Sequence, residues 1–329
     1  MKFRVSPIWW PALTAASPVL APWLAVQTYK FYQGARLAEE TNNKRLSRAL
    51  PLDLPVLRSV RITAVVEHAH RNGYLGDAAV SYLLKSELGS VLMDVGFGPE
   101  RPALDRNCRL LGIAPGEWNE LLVSHLHPDH MGGLRAVRRK TVRLPEGLLP
   151  KSPFPCYVPA DCDAPGFDVR VIASPLILSC GLATTGPLAR MLSLTGVTEE
   201  QSIVANLKGK GLVVVVGCGR PGIETILKMA GRMSCAPVDT IIGGLHFPIT
   251  DSRVSGMGIE FQRIVGIAKP WWSSVNDRDL DETISALNRS KVRRLLLSAH
   301  DSCDHALDRL KREVRADVRV LEAGASYDL

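Results

Sequence analysis

The sequence predicts an α/β protein with mixed sheets and helices outside them. Three observations carry this expectation. β-branched, strand-like stretches come first along the chain, and strands alternate with helical patterns later. The 329 residues are 46% hydrophobic, enough for one large domain or a domain with an appendage. No internal repeat or low-complexity tract breaks the pattern.

The elements follow in order. Residues 5–29, VSPIWWPALTAASPVLAPWLAVQTY, carry no charge; Lys2 and Arg4 precede them and Lys30 follows. A bilayer-spanning helix needs about 20 apolar residues, so the length suffices. Pro7, Pro11, Pro18 and Pro22 argue against a straight helix. Trp9, Trp10 and Trp23 favour a membrane interface. Residues 1–33 are therefore expected to be a hydrophobic segment that associates with a membrane as an interfacial or re-entrant stretch or an anchor. The competing expectation is an arm packed on the protein itself or on a dimer partner. Residues 34–57 read as a polar, mostly helical linker closed by Pro51 and Pro55.

The main domain is expected over 58–329. VRITAVVEH (60–68) reads as a strand, and 79–87 and 90–97 as a hairpin turned at Leu88-Gly89. Residues 102–113 have helical spacing. NELLVSH (119–125) is a buried strand, and 134–139 a short helix. Between 140 and 200 the pattern is harder to read, with strand-like pieces such as FPCYVP and DVRVIAS broken by Pro and Gly. KGLVVVVGCG (210–219) is an apolar strand ending in a Gly-Cys-Gly turn, followed by a helix at 222–233 and a strand at 238–246. A helix over 279–290, a strand over 292–300, a helix over 303–314 and a last strand over 318–324 complete the series. The stretch 247–278 reads as an insertion, and its Lys269-Pro-Trp271-Trp272 echoes the N-terminal Trp-Trp-Pro; it is expected to be either an ordinary insertion packed on the domain or a hydrophobic lid.

Charge and cysteine content narrow the function. The net charge is +7, and basic residues cluster at 135–143 and 289–294. Such strips suit an anionic substrate or an anionic membrane surface. No nucleic-acid recognition motif accompanies them, so no nucleic-acid partner is expected. The seven cysteines lack short paired spacings and read as buried or reactive thiols in a reducing compartment. That predicts a cytoplasmic protein, with possible attachment to the inner face of a membrane.

The densest chemistry lies in SHLHPDHMGGL (124–134). His125 and His127 are two apart on an extended segment. Pro128 then forces a turn, and Asp129 and His130 follow. Imidazoles and a carboxylate at this spacing suit Zn²⁺, Mn²⁺ or Fe²⁺, and two ions about 3.5–4 Å apart could share a nucleophile. Gly132 and Gly133 are expected to let the backbone pass close to the metals.

His125-Leu-His127-Pro-Asp129-His130 resembles the His-x-His-x-Asp-His signature of the metallo-β-lactamase superfamily, over roughly residues 60–325. The resemblance implies an αββα sandwich with the metals at one edge of two sheets, preceded here by the hydrophobic segment. It implies that Asp94, in LMDVGFG, orients the ligand loop. LVVVVGCGRPGI, IIGGLH and a late strand ending in a histidine look like the branch related to dihydropterin ribofuranosylaminobenzene phosphate synthases. The sequence also departs from these patterns. The first metal position usually takes a third histidine, yet none lies between His130 and His246. Arg220 stands where the branch carries a histidine.

The implied ligands are His125, His127, Asp129, His130, Cys218 and His246, binding one or two Zn²⁺ ions, with Mn²⁺ or Fe²⁺ as alternatives. His246 is expected to complete the second position together with Asp129 and His130. Asp129 is expected to help hold the nucleophile. His300 is expected to contact substrate or replace a ligand, and Arg220 to bind a phosphate or carboxylate unless Glu224 neutralises it. His68 and His70 read as a surface loop. The expected function is metal-dependent hydrolysis of an ester or phosphoester of a small anionic molecule through a metal-bound hydroxide. The alternatives are a pterin-type synthase or transferase and a non-catalytic binding protein with a partial metal site.

Overall fold

In a computed structural model, residues 5–329 are described. The first four residues, with Lys2 and Arg4 at the head of the apolar segment, lie outside the described residues.

Two sheets are stacked face to face. In the first, seven strands run in the order Ser326–Asp328, Val60–Val66, Ser81–Ser86, Gly89–Met93, Glu120–Leu122, Pro155–Val158 and Asp168–Val171. The central path of the second orders Asp317–Val320, Arg294–Leu297, Val238–Gly243, Gly211–Val216, Ile203–Leu207, Ala183–Thr184 and Leu176–Ile177. Val56–Leu57 joins it alongside Ile203–Leu207. The four strands from Gly211–Val216 to Asp317–Val320 pair in parallel.

The two-residue period of a strand explains the layering. Val213 and Val215 point between the sheets, where they meet Ile62, Leu84, Val91 and Leu122. Leu212, Val214 and Val216 point the other way, onto Ile226, Met229, Leu280, Leu287 and Leu310. Those residues belong to the helices Ile223–Met233, Asp277–Ser290 and Asp304–Glu313. A strand covered on both faces reads as a continuous apolar run, as LVVVV does. On the far side, Leu83, Leu92 and Leu121 pack against Leu104, Cys108, Met131 and Ala136 of the first sheet's helices. The result is the expected αββα sandwich. Six of the seven cysteines are buried free thiols; Cys235 is exposed.

Three elements differ from the sequence expectation. Beyond Asp317–Val320 the chain crosses back and adds Ser326–Asp328 to the first sheet, antiparallel to Val60–Val66. Residues 188–200, unreadable in sequence, form a separate hairpin of Leu188–Leu192 and Gly196–Glu200. The N-terminal segment is helical despite its prolines: Trp10–Ala15 is followed by one long helix, Ser17–Arg48. Pro11 and Pro18 sit at the first positions of these helices, where the missing N–H would have no partner anyway. Pro22 alone is interior. The expected boundary at 33/34 thus falls within a continuous helix. Among the described residues, no helix is long and apolar enough to cross a membrane.

The long helix is tied to the domain. Asn42 exchanges two hydrogen bonds with the Ala189 backbone, at 2.8 and 2.7 Å, and Arg45 pairs with Glu199 at 2.7 Å. The two tryptophan-rich stretches also meet. Ser6 N–H donates to Gly258 O at 2.8 Å, Trp9 Nε1 to Met257 O at 2.9 Å, and Trp271 Nε1 to Thr28 Oγ1 at 3.2 Å. Arm and insertion therefore form one cap beside the second sheet's helices.

Candidate metal centre

Parallel strands deliver their C-terminal ends to one edge, the usual location of binding residues in such sheets. Gly89–Met93 ends at Asp94, Glu120–Leu122 leads to His125, Gly211–Val216 to Cys218, Val238–Gly243 to His246, and Arg294–Leu297 to His300. Gly243 and Gly244 make this convergence possible. A Cβ on Gly243 would lie 1.9 Å from Val216 O, and one on Gly244 would lie 2.6 Å from Gly217 O and from Asp301 Oδ2. Only glycine lets these strand ends come so close.

Asp94 organises the signature loop. It is fully buried and sits at φ 63°, a left-handed conformation uncommon for a residue with a Cβ. Its Oδ1 accepts the Ser124 N–H at 2.6 Å, and its Oδ2 accepts Ser124 Oγ at 2.7 Å and His130 Nδ1 at 2.7 Å. A carboxylate only accepts, so His130 Nδ1 carries the proton and Nε2 is the free donor atom. Nε2 points at Cys218 Sγ, 3.1 Å away, and lies 3.6 Å from Asp129 Oδ2. His300 is held the same way: Ser298 Oγ contacts Nδ1 at 2.5 Å, and Nε2 faces Cys218 Sγ at 3.3 Å. Behind it Glu67, buried and pushed up to about 7 by that burial, accepts the Ala299 N–H at 3.2 Å.

Asp129, His130, Cys218 and His300 thus each place one ligand atom within 4.8 Å of the others. A second group of the same kind is Cys218, His246 and Asp301. His300, rather than His246, joins Asp129 and His130. The sequence could not rank the two, because Gly243 and Leu297 are register partners and each histidine lies three residues beyond its strand. His246 takes a left-handed turn, φ 56°, which sends it to Arg220 instead.

His125 and His127 enter neither group. Their rings pack against the loop's other imidazole, with centroids 4.5 Å apart for His125 and His127 and 4.1 Å for His125 and His130. His125 Nδ1 meets Ser124 Oγ at 2.9 Å, and His127 Nε2 meets Thr198 Oγ1 at 3.3 Å. Gly132 and Gly133 do not approach the centre. Their α-carbons are crowded by the Arg143 backbone and by the Glu100 carboxylate, which caps the N–H groups of Leu134 and Arg135. His68 and His70 also lie outside both groups.

Three polar residues escaped the sequence reading. Asp301 could have been noticed beside His300. Ser124 and Glu200 carried no signal. Glu200, at the end of the hairpin, accepts the backbone N–H groups of Cys218, Gly219 and Arg220 at 3.0, 2.8 and 2.9 Å. It fixes the turn that presents both the thiol and the guanidinium.

Arg220 is only 8% exposed. Its Nη1 donates to His246 Nε2 at 3.1 Å, its Nη2 lies 3.9 Å from Cys218 Sγ, and its Nε has no partner among the described residues. Glu224 does not neutralise it, because that carboxylate pairs with Arg289 at 2.7 Å. Arg220 and His246 line a cleft of about 720 Å³, with Arg190 and Lys269 on its wall. Lys269 is paired with Asp279 at 2.6 Å; among the described residues, Arg220 and Arg190 form no ion pair.

The charge states suit a cation. Burial holds His125 and His246 well below the ordinary histidine range, His127 at about 3 and His300 at about 4, so these rings are neutral donors. Asp129 lies at about 2: burial would raise it, but His130, His300, His127 and Arg220 outweigh that. His130 is the exception: burial pulls it down, yet Cys218, Asp129 and Asp94 hold it well above the ordinary range, so its Nε2 must give up a proton before it can hold an ion. The Cys218 thiol is pushed up to about 12 by burial, against His130 and Arg220; a coordinated cation would deprotonate it. His125 Nε2, His246 Nδ1 and Asp301 Oδ2 are buried without a hydrogen-bond partner among the described residues. The quartet of two anchored imidazoles, a thiol and a carboxylate fits a divalent cation.

Comparison with known proteins agrees with this architecture. The profile of the metallo-beta-lactamase superfamily matches residues 75–145, which include Asp94 and the whole His-x-His-x-Asp-His segment. Tm1679, described as a metal-dependent hydrolase of the beta-lactamase superfamily, superposes with a TM-score of 0.58 at 19% identity, over 82% of this chain and 99% of its own. The metallo-beta-lactamase fold protein YhfI from Bacillus subtilis superposes with a TM-score of 0.51 at 15% identity, over 83% and 100%. No curated protein matches the sequence. Residues 75–145 thus carry the metallo-β-lactamase superfamily profile, and the fold around them is of that type.

Proposed function

We propose that the protein is a metal-dependent hydrolase acting on an ester or phosphoester of a small anionic molecule. The observation that carries this reading is the quartet Asp129, His130, Cys218 and His300 beside a buried guanidinium that, among the described residues, has no carboxylate partner. Two nitrogens, one oxygen and one sulfur suit Zn²⁺ best, with Mn²⁺ or Fe²⁺ as alternatives. A bound ion would polarise the scissile group and lower the pKa of the water it holds. Asp129, ionised and partly open to solvent, would hold the ion and orient the attacking water. Arg220 would bind the anionic end of the substrate through charge-assisted hydrogen bonds. The test is metal analysis of the purified chain, then a screen of nitrophenyl esters, lactones and bis-nitrophenyl phosphate. Metal-dependent turnover is expected; a chain that binds no metal and turns over none of them overturns the reading.

Arg220→Ala is expected to raise KM for the anionic substrate by ~10–100-fold, the worth of a charge-assisted hydrogen bond. Arg220→Lys should recover only part of the loss, because an ammonium cannot reproduce the planar fork. An unchanged KM in steady-state kinetics with Arg220→Ala would remove Arg220 from the substrate site.

We also propose that the N-terminal arm lies on an anionic lipid surface. Val19 is 77% exposed and Trp23 45%, and Ile8, Trp10, Leu13 and Val26 are exposed as well. Exposed tryptophan and aliphatic side chains suit the membrane–water interface. Val19→Glu combined with Trp23→Glu is expected to abolish co-sedimentation of the full chain with phosphatidylglycerol-containing vesicles. Co-sedimentation equal to that of the unsubstituted chain would leave the arm a purely structural cap.

A further inference from the structure

We propose that the Arg220 guanidinium is a built-in second cation, so that the centre holds one divalent ion per chain and not two. This rests on the reading of Asp129, His130, Cys218 and His300 as the ligand set.

The first argument is about lone pairs. A guanidinium has only donors. Its Nη1, 3.1 Å from His246 Nε2, therefore occupies that nitrogen's acceptor lone pair. Neutral His246 must then carry its proton on Nδ1, which lies 3.7 Å from Asp301 Oδ2. Neither ring nitrogen remains free to bind a metal. The second group, Cys218, His246 and Asp301, keeps two donors at most. His127 Nε2 is taken up by Thr198 Oγ1.

The second argument is about charge. Asp129, Asp301 and a Cys218 thiolate bring three negative charges to the two groups. A second ion at Cys218, His246 and Asp301 would sit against the guanidinium, whose Nη2 is 3.9 Å from Cys218 Sγ. The guanidinium cannot leave by deprotonation. Its backbone is pinned by Glu200, and Gly266, where an added Cβ would lie 2.8 Å from Nη1, leaves just enough room for the planar head. Arg220 thus offers an anionic substrate the positive charge that a second ion would otherwise supply.

The test is stoichiometric. The full chain is titrated with Co²⁺, read by the thiolate-to-cobalt charge-transfer band, and its metal content is measured after zinc loading and dialysis. Saturation at one equivalent supports the proposal. Two ions per chain overturn it while leaving the hydrolase reading intact, and no bound ion overturns both. Arg220→His, which replaces the donor-only cation with a ligand, is expected to take up a second ion, whereas Arg220→Lys stays at one. A single ion in folded Arg220→His would show that the guanidinium is not what excludes the second. If that variant does not fold, the titration of the unsubstituted chain still decides.

Discussion

His300→Ala is expected to strip the cation from the protein, whereas His246→Ala leaves it in place. His300 presents Nε2 to Cys218 Sγ at 3.3 Å, with Nδ1 anchored by Ser298. His246 Nε2 is engaged by the Arg220 guanidinium. Losing a direct ligand should exceed the about 10–100-fold loss of affinity typical of removing an outer hydrogen-bond partner. Metal content after dialysis should therefore fall close to zero for His300→Ala, and hydrolysis with it. His300→Cys, which restores a donor, should recover part of the ion. Unfolding midpoints of the metal-free proteins separate ligand loss from misfolding. Metal loss in His246→Ala with retention in His300→Ala would reverse the assignment and return to the order expected from sequence.

Asp94→Asn should separate orientation from stability. The Ser124 N–H is a fixed donor facing Oδ1 at 2.6 Å, so an asparagine must keep its oxygen there. Its NH₂ group then faces His130 Nδ1 and Ser124 Oγ, where Oδ2 accepted at 2.7 Å from each. His130 can only answer by accepting at Nδ1, which moves its proton to Nε2. That is the atom needed for the metal, so affinity should drop by ~10–100-fold while the fold persists. Asp94→Ala is more drastic. It leaves several buried donors unpaired and puts a less tolerant residue at φ 63°, and should cost roughly 3–5 kcal/mol in urea unfolding. Normal metal affinity in Asp94→Asn would show that the carboxylate does not set the tautomer.

The sequence and the tertiary structure divide this protein along a physical line. Local periodicity and residue chemistry sufficed for the apolar strands, the outer helices and the His-x-His-x-Asp-His loop. A strand buried on both faces must be continuously apolar, as residues 212–216 are, and ligand-rich turns are rare enough to stand out. The family resemblance, not local chemistry, marked Asp94, Cys218 and Arg220 as residues of one site. Three things depended on the fold alone. His246 and His300 end adjacent parallel strands at equivalent depth, so only the turn each takes decides which one faces Asp129 and His130. Glu200 reaches the centre from a hairpin with no clear sequence pattern and pins the Cys218–Arg220 turn through three backbone hydrogen bonds. The prolines of the arm look like helix breakers until their positions at helix starts are known, and the pairing of that arm with the insertion joins residues 257 and 9, far apart in the chain. Periodicity reports which face of an element is buried; it carries no information about which distant element covers it.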